Sequence, residues 1–496
     1  MKRLGFTIVK NTLANGIRGG ATAVVALTLP HFLTRSLDHE RFAAWALMLQ
    51  IAAYASYLDF GLQTAVARYL AQDMERGDDE HRDLMVSTAL AMLATGGAFA
   101  FLLIGIVACK LPQIFHGLSP YLVGELRSGV LVLAATSALL LPMSAFTGVL
   151  IGLHRNEYPA MAIGGTRILG ALAVLICVRY TQSLFWLAVC IGGCNLIGGL
   201  LQYLMVRRVL PSLQIALRGV SATMAAELAR YCSTLVLLSF GMLLISGLDV
   251  TIVGHFDFGA VGYYSIAVTV ISFLTGLNSS LFNAMLTPVT VLQERHEYER
   301  IRSLVLATTR LNTYTNLLLY IGVVIAGPLV LRVWVGSSYA SAALPILEVL
   351  MFAQAIRLVG SSYSIVLLAM GQQKRALFPG MIEAFSNLLF SIVGMMWFGP
   401  IGVAWGTLVS AVLGLAVYIT WTLPCVPRIP LGRLDLLLEG VGRPLVCLMP
   451  LLLYIVITRT RPTSPLTSVY LVAALTCVFL WSWKWGKLLP ARVGSE

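Results

Sequence analysis

Charge is what this chain lacks most: only 11% of its 496 residues are Asp, Glu, Lys or Arg, less than half the share usual in a soluble domain. No large hydrophilic block interrupts the apolar runs, so no soluble catalytic domain is inserted between them. No GxxxxGK[ST] segment is present, which excludes a phosphate-cradling loop and ATP hydrolysis by that route. The seven histidines fall mostly in loops without metal-ligand spacing. Of the eight cysteines, Cys190 and Cys194 stand four apart, but neither His nor a carboxylate accompanies them. They read as small buried side chains rather than a metal site, and no metal or cofactor is expected.

Apolar residues are what the chain has in abundance. They make up 58% of it, and the mean hydropathy is +0.85. Runs long enough to cross a bilayer, about 20 residues at 1.5 Å rise, recur along its whole length. The chain therefore reads as an all-α polytopic membrane protein. Fourteen spans are expected, at 12–33, 42–67, 84–109, 126–152, 158–178, 184–206, 231–254, 261–287, 304–330, 344–369, 377–398, 400–423, 443–458 and 466–484. Gly399-Pro400 is the only separation between the eleventh and twelfth. The basic N-terminus leads into an apolar run too long for a signal-peptide core, so it reads as a retained first span.

The net charge of +12 does not point to nucleic acid, because the basic residues are spread over short connecting loops. With the N-terminus in the cytoplasm, and basic residues towards span ends (Arg127, Arg310, Arg443 and Lys484) counted with the adjoining loop, 23 of the 34 Lys and Arg fall in cytoplasmic segments, 8 outside and 3 deep within spans. That asymmetry is a strong positive-inside signal and puts both termini in the cytoplasm. The outside loops are all short and leave no room for the catalytic loop expected of a membrane polymerase or ligase.

The longest polar connection, 207–230, divides the first twelve spans into two groups of six: 1–206 and 231–425, with 426–496 as two additional helices and a tail. A weak internal echo agrees with this division. Residues 42–68 lie against 261–287 without a gap, so that Asp59 meets Asn278, Leu62 meets Leu281 and Ala65 meets Ala284. Duplicated six-helix halves are a common transporter plan, with the substrate site between the halves.

Three arginines, Arg18, Arg167 and Arg357, interrupt apolar runs. An arginine at the bilayer centre costs about 2.5–3.5 kcal/mol on insertion scales, so it is kept where it has a partner. Arg357 and Arg167 lie deepest in their spans, whereas Arg18 is close enough to the cytoplasm to snorkel. Guanidinium grips phosphate or carboxylate through a planar fork. All three are therefore substrate-binding candidates for a phosphorylated or acidic solute. Polar residues such as Asn15, Tyr54, Gln63, Asn278, Asn283, Asn316 and Gln354 are candidates for sugar hydroxyls, or bridge helices. Three acids are also buried. Asp59 comes out at the depth of Arg18 and is expected to pair with it. Asp249 is a candidate for ion coupling or a structural pair, and Glu383, near a span end, reads more simply as structural.

The stretch Phe32-Leu33-Thr34-Arg35-Ser36-Leu37, then Phe42-Ala43-Ala44-Trp45-Ala46-Leu47, then Leu58-Asp59-Phe60-Gly61-Leu62 with Arg68, resembles the first hairpin of Wzx-type polysaccharide flippases. These form the oligosaccharide-lipid branch of the multidrug/oligosaccharidyl-lipid/polysaccharide exporter superfamily. Similarity is strongest over residues 11–72, and Ala43 stands where that family usually has glycine. The resemblance implies two six-helix lobes in a V around a cationic cavity, plus two C-terminal helices. It further implies a flippase in the bacterial cytoplasmic (inner) membrane, not an enzyme. Its substrate would be an undecaprenyl-pyrophosphate-linked oligosaccharide, moved by alternating access for O-antigen or exopolysaccharide assembly, with membrane lipid around it and a polysaccharide polymerase as partner. A lipid II flippase and a multidrug exporter of the same superfamily are the alternatives. Three cavity arginines count against the exporter of cations, and a membrane glycosyltransferase lacks its acidic pair. A reporter active only outside the cytoplasm should be silent when fused after residue 215 and active when fused after residue 182; the reverse pattern would overturn the orientation.

Overall fold

The computed structural model describes residues 20, 22–215, 220–425, 429–460 and 465–484. Every regular element among them is helical, as the absence of water in a bilayer requires of an open chain. Eleven of the described helices are long and apolar enough to cross a membrane. The expected first span lies partly outside the described residues, as does the side-chain record of the last, and the second span is interrupted. By contact the chain forms two compact units, residues 1–269 and 270–496.

The first unit contains α1 (22–36), α2 (His39–Ala53), α3 (Leu62–Arg76), α4 (Asp79–Cys109), the single turn α5 (Leu111–Ile114), α6 (Pro120–Gly152), α7 (Glu157–Tyr180), α8 (Leu184–Val209), α9 (Ala222–Met242), α10 (Asp249–Phe256) and the start of α11 (Val261–Glu294). Two expected spans are broken. In 42–67, α2 ends in a 3₁₀ turn, Tyr54–Asp59. Phe60 and Gly61 then take left-handed φ of 52° and 77° before α3 restarts the helix. Gly61 is required there twice over, since a Cβ would also fall 2.6 Å from Leu235 Cδ1. In 231–254, a π turn over Leu243–Gly247 separates α9 from α10. Hydropathy averages over both breaks, so neither interrupts an apolar run.

The connection 207–230 is pinned to the rest of the first unit. Arg82, only 2% exposed, bonds to Asp79 and Asp83 and donates to the Ser212 carbonyl. Asp83 accepts from the Gln214 N–H at 3.0 Å, and Thr88 from the Ser221 N–H at 3.2 Å. The next helix, α9, packs on α3, with Arg68 over the Tyr231 ring at 5.0 Å. Thus α9 and α10, which the sequence groups with residues 231–425, lie by contact with the first unit.

The second unit continues α11 and adds α12 (Tyr298–Val335), α13 (Ser337–Ala369), α14 (Gln373–Phe398), α15 (Pro400–Val417), the short α16 (Arg433–Asp435), α17 (Arg443–Thr460) and α18 (Pro465–Lys484). A second π turn, Leu436–Gly442, leads into α17. One apolar cluster joins α12, α13 and this turn through Ile301, Val305, Tyr363, Val366 and Leu436. Another seats α17 and α18 on α12 through Leu317, Ile321, Leu448, Leu451 and Val478. As expected, α14 and α15 are joined only by Gly399, at φ 67°, and Pro400. Their backbones then approach so closely at Gly394 and Gly402 that a Cβ on either would sit 2.2 or 1.9 Å from the other's carbonyl oxygen. This is small-residue packing of the kind that holds helices together in lipid. Cysteine burial departs from the expectation: Cys232 and Cys447 are buried, but Cys109 and Cys477 are exposed.

Replacing Gly402 with valine should separate α14 from α15 and lower stability by at least ~1–3 kcal/mol. The thermal midpoint of the protein in detergent measures this, and an unchanged midpoint would contradict the packing.

Candidate functional site

Arg357 sits in the middle of α13, and its charge is answered from α14. Its Nε donates to Glu383 Oε1 at 2.5 Å, and its Nη1 donates to Gln354 Oε1, one turn earlier, at 3.2 Å. Gln354 in turn donates to Thr275 Oγ1 on α11 at 3.0 Å. Glu383 lies against Gly414 of α15, where a Cβ would come within 3.0 Å of its Oε2. A polar chain thus runs Thr275–Gln354–Arg357–Glu383 through an otherwise apolar helix cluster. Side-chain exposure is 22% for Arg357 and 12% for Glu383, so each shields the other from hydrocarbon. One group is left over: Arg357 Nη2 is buried and has no hydrogen-bond partner among the described residues. A guanidinium carries five donors in a fixed fork. Glu383 therefore fixes the fork while an unmatched donor remains for an oxygen atom.

The other candidates separate. Arg18 lies outside the described residues, and so does its expected pairing with Asp59. Asp59 has partners of its own: Ser144 Oγ donates to it at 2.9 Å, as do the backbone N–H groups of Gly61 and Gln63. It therefore anchors the start of α3, where a carboxylate suits the exposed N–H groups. Arg167 is on an exposed face of α7 and donates through Nη1 to Thr22 Oγ1 on α1 at 2.6 Å. Arg167 and Arg357 belong to different compact units.

Asp249 is 5% exposed and opens α10 directly after the π turn, where Tyr264 donates to its Oδ2 at 3.4 Å. Next to it, the Gly247 carbonyl accepts from Gln50 Nε2 at 2.7 Å and from the Tyr54 hydroxyl at 2.8 Å. Tyr54 also contacts the Thr251 hydroxyl. The π turn is thereby bound to α2. Beside it opens a cavity of about 230 Å³ lined by apolar side chains, among them Ile51, Leu58, Ile104 and Phe115. Among the candidates for sugar hydroxyls, Tyr54 and Gln354 belong to these networks. Asn316 donates to Asn312 on its own helix at 2.8 Å, while Asn15 and the side chains of Asn278 and Asn283 lie outside what is described.

Sequence reasoning missed the Arg357–Glu383 pair, because the partners are 26 positions apart on different helices. The expected spans gave no signal for it, since they place Arg357 at mid-span and Glu383 near a span end.

Residues 8–291 match the family described as polysaccharide biosynthesis protein. The chain belongs to this family. No curated protein sequence matches it. Solved structures do: lipid II flippase MurJ in an inward closed conformation matches at 14% identity and TM-score 0.69, over 95% of this chain and 98% of that one. An inward-facing multidrug resistance MATE family transporter of the MOP superfamily matches at 14% identity and TM-score 0.62, over 84% of this chain and 95% of that one. A MOP superfamily transporter from Pyrococcus furiosus, with a binding pocket described as of reverse polarity, matches at 13% identity and TM-score 0.55, covering 86% and 96% of the two chains. At these identities the likeness is one of fold. This member of the polysaccharide biosynthesis family thus has the fold shared by MurJ and the MATE transporters.

Glu383→Gln should leave Arg357 uncompensated and lower stability by ~2–3 kcal/mol, the modest end for a broken buried pair because both groups keep some exposure. The double variant Arg357→Gln/Glu383→Gln should recover part of that loss. Thermal midpoints of the three proteins test this, and additive losses would argue that the two groups do not act as a pair.

Proposed function

We propose that the protein is a flippase that carries undecaprenyl-pyrophosphate-linked oligosaccharide repeat units from the inner to the outer leaflet of the bacterial cytoplasmic membrane. It would serve the assembly of O-antigen or exopolysaccharide, with both termini in the cytoplasm and a polysaccharide polymerase as downstream partner. Residues 1–206 and 231–425 would act as the two lobes of an alternating-access cycle, joined by 207–230, with 426–496 appended. The observation that carries this reading is the unmatched Nη2 donor of Arg357, held in place by Glu383 and Gln354. An oriented guanidinium with a spare donor suits a diphosphate oxygen, and Gln354 adds an amide of the kind that meets sugar hydroxyls. Arg167 and Arg18 are proposed as further contacts along the same route. Asp59 and Asp249 are proposed as coupling or structural acids. Family membership supports a role in polysaccharide biosynthesis, and the flippase and transporter folds support translocation rather than catalysis.

The direction is physically favourable. Moving negative charge outward across an inside-negative membrane is downhill by about 2.3 kcal/mol per charge per 100 mV. A diphosphate headgroup is thus exported with the membrane potential, and the lipid tail never has to leave hydrocarbon.

The alternative is a lipid II flippase for peptidoglycan, favoured by the extent of the fold match to MurJ. Both readings use the same diphosphate contact and differ in the glycan. Deleting the gene should make a lipid-linked glycan accumulate in the cytoplasmic leaflet, and its sugars decide between them. Complementation with Arg357→Gln should lose about tenfold or more of the translocation, the effect of one charge-assisted hydrogen bond, while Arg357→Lys should retain part. Full complementation by Arg357→Gln, with altered drug tolerance instead, would favour a multidrug exporter and sink the proposal.

A further inference from the structure

Buried and half-buried arginines of the described helices have acids beside them in the cases of Arg82, Arg302 and Arg357. Arg82 has Asp79 and Asp83, Arg302 has Asp435 at 2.7 Å, and Arg357 has Glu383. Arg310 on α12 breaks the pattern. It is 8% exposed, and among the described residues its one hydrogen bond is from Nε to the Leu306 carbonyl of its own helix, at a long 3.4 Å. The charged groups around it are Glu439, beyond ion-pair contact, and a second cation, Arg443. Those two are themselves at the limit of a pair, 4.0 Å apart.

Its neighbours on α12 are equally unusual. Thr309 and Thr313 are 0% and 3% exposed, and neither hydroxyl has a hydrogen-bond partner among the described residues. The threonines either side of them bond back to their own helix, Thr308 to the Leu304 carbonyl and Thr315 to the Leu311 carbonyl. That is the ordinary resort of a buried hydroxyl in a helix. At 3.6 residues per turn, positions 309, 310 and 313 fall within about 100° of arc. Three sets of donors therefore share one face. This face meets the π turn Leu436–Gly442 at Gly440, where a Cβ would lie 2.9 Å from Thr309 Cγ2. Apolar layers close it on both sides, Val305, Leu306 and Leu436 on one and Leu317 and Leu448 on the other.

A buried cation without a counter-ion in contact is strongly unfavourable, and Arg310, Thr309 and Thr313 each have a donor to offer. We propose that the seam between α12 and the Leu436–Gly442 turn is a phosphate-binding site, with Arg310 as the charged clamp and Thr309 and Thr313 as hydroxyl donors. Arg443 adds positive charge at its edge. The ligand is a phosphate group, whether the headgroup of an anionic phospholipid or the free ion. The site is independent of the Arg357 reading and stands or falls separately from it.

The test uses the full-length protein, purified and delipidated in detergent, with the thermal midpoint followed on adding phosphatidylglycerol, inorganic phosphate, or diacylglycerol of the same chains. Phosphatidylglycerol, inorganic phosphate or both should raise the midpoint, and diacylglycerol should not. A response to the lipid alone identifies the headgroup as the source; a response to inorganic phosphate shows that the free ion suffices. In Arg310→Gln the apparent affinity should fall roughly tenfold or more, as for a lost hydrogen bond to a charged group, and Arg332→Gln, at an exposed position near the far end of α12, should respond like wild type. Should Arg310→Gln fail to fold, the near-isosteric pair Thr309→Val/Thr313→Val must show a several-fold loss. The proposal is overturned if no titrant acts, if diacylglycerol acts equally, if the response survives the Arg310 and threonine variants, or if Arg332→Gln abolishes it too.

Discussion

Hydrocarbon offers nothing to a polar group, so each one that enters it must bring its partner along. That constraint organises both units. Arg82 is held by two aspartates and a carbonyl where α4 begins, and Arg302 reaches across to Asp435. Arg357 lies against Glu383 in the midst of α13 and α14. The last two pairs join different helices and fix them in register more specifically than the leucine and valine surfaces around them, because lipid competes for apolar contacts and not for charged ones.

The same constraint explains the helix breaks. An interrupted helix exposes backbone groups that must be satisfied elsewhere. At the first break the Asp59 carboxylate takes up the freed N–H groups of α3. At the second, the carbonyl of Gly247 is taken by Gln50 of α2 and by Tyr54, which follows it. The two breaks are connected through Tyr54, which opens the first and donates to the Gly247 carbonyl of the second. Irregular backbone is tolerated within membrane-spanning segments only where it is buried in protein or lines a water-filled cavity. These are accordingly the places in the first unit where helices can change direction.

Much of this was legible beforehand. Helix positions followed from apolar runs, and the α14–α15 turn from Gly399-Pro400. Arg357 stood out as a deep charge, and Asp249 as a buried acid. The resemblance of residues 11–72 to polysaccharide flippases agreed with the family to which the chain belongs. What stayed hidden was pairing. Asp59, expected to answer Arg18, is engaged by Ser144 and by its own backbone, and Glu383, read as a peripheral acid, is the counter-ion of Arg357. Hydropathy also ran straight through both breaks, because a broken helix in lipid needs the same apolar residues as an intact one.

By itself the sequence determined that the chain is helical and that it crosses the membrane many times. These follow from transfer free energies, which depend on residue type and summed position alone. Only the tertiary structure decided which charges answer each other, which donors remain unmatched and that α9 packs with α3 and α4. Those depend on which helix faces come together, and in lipid that choice rests on small residues and a few hydrogen bonds that no periodicity records.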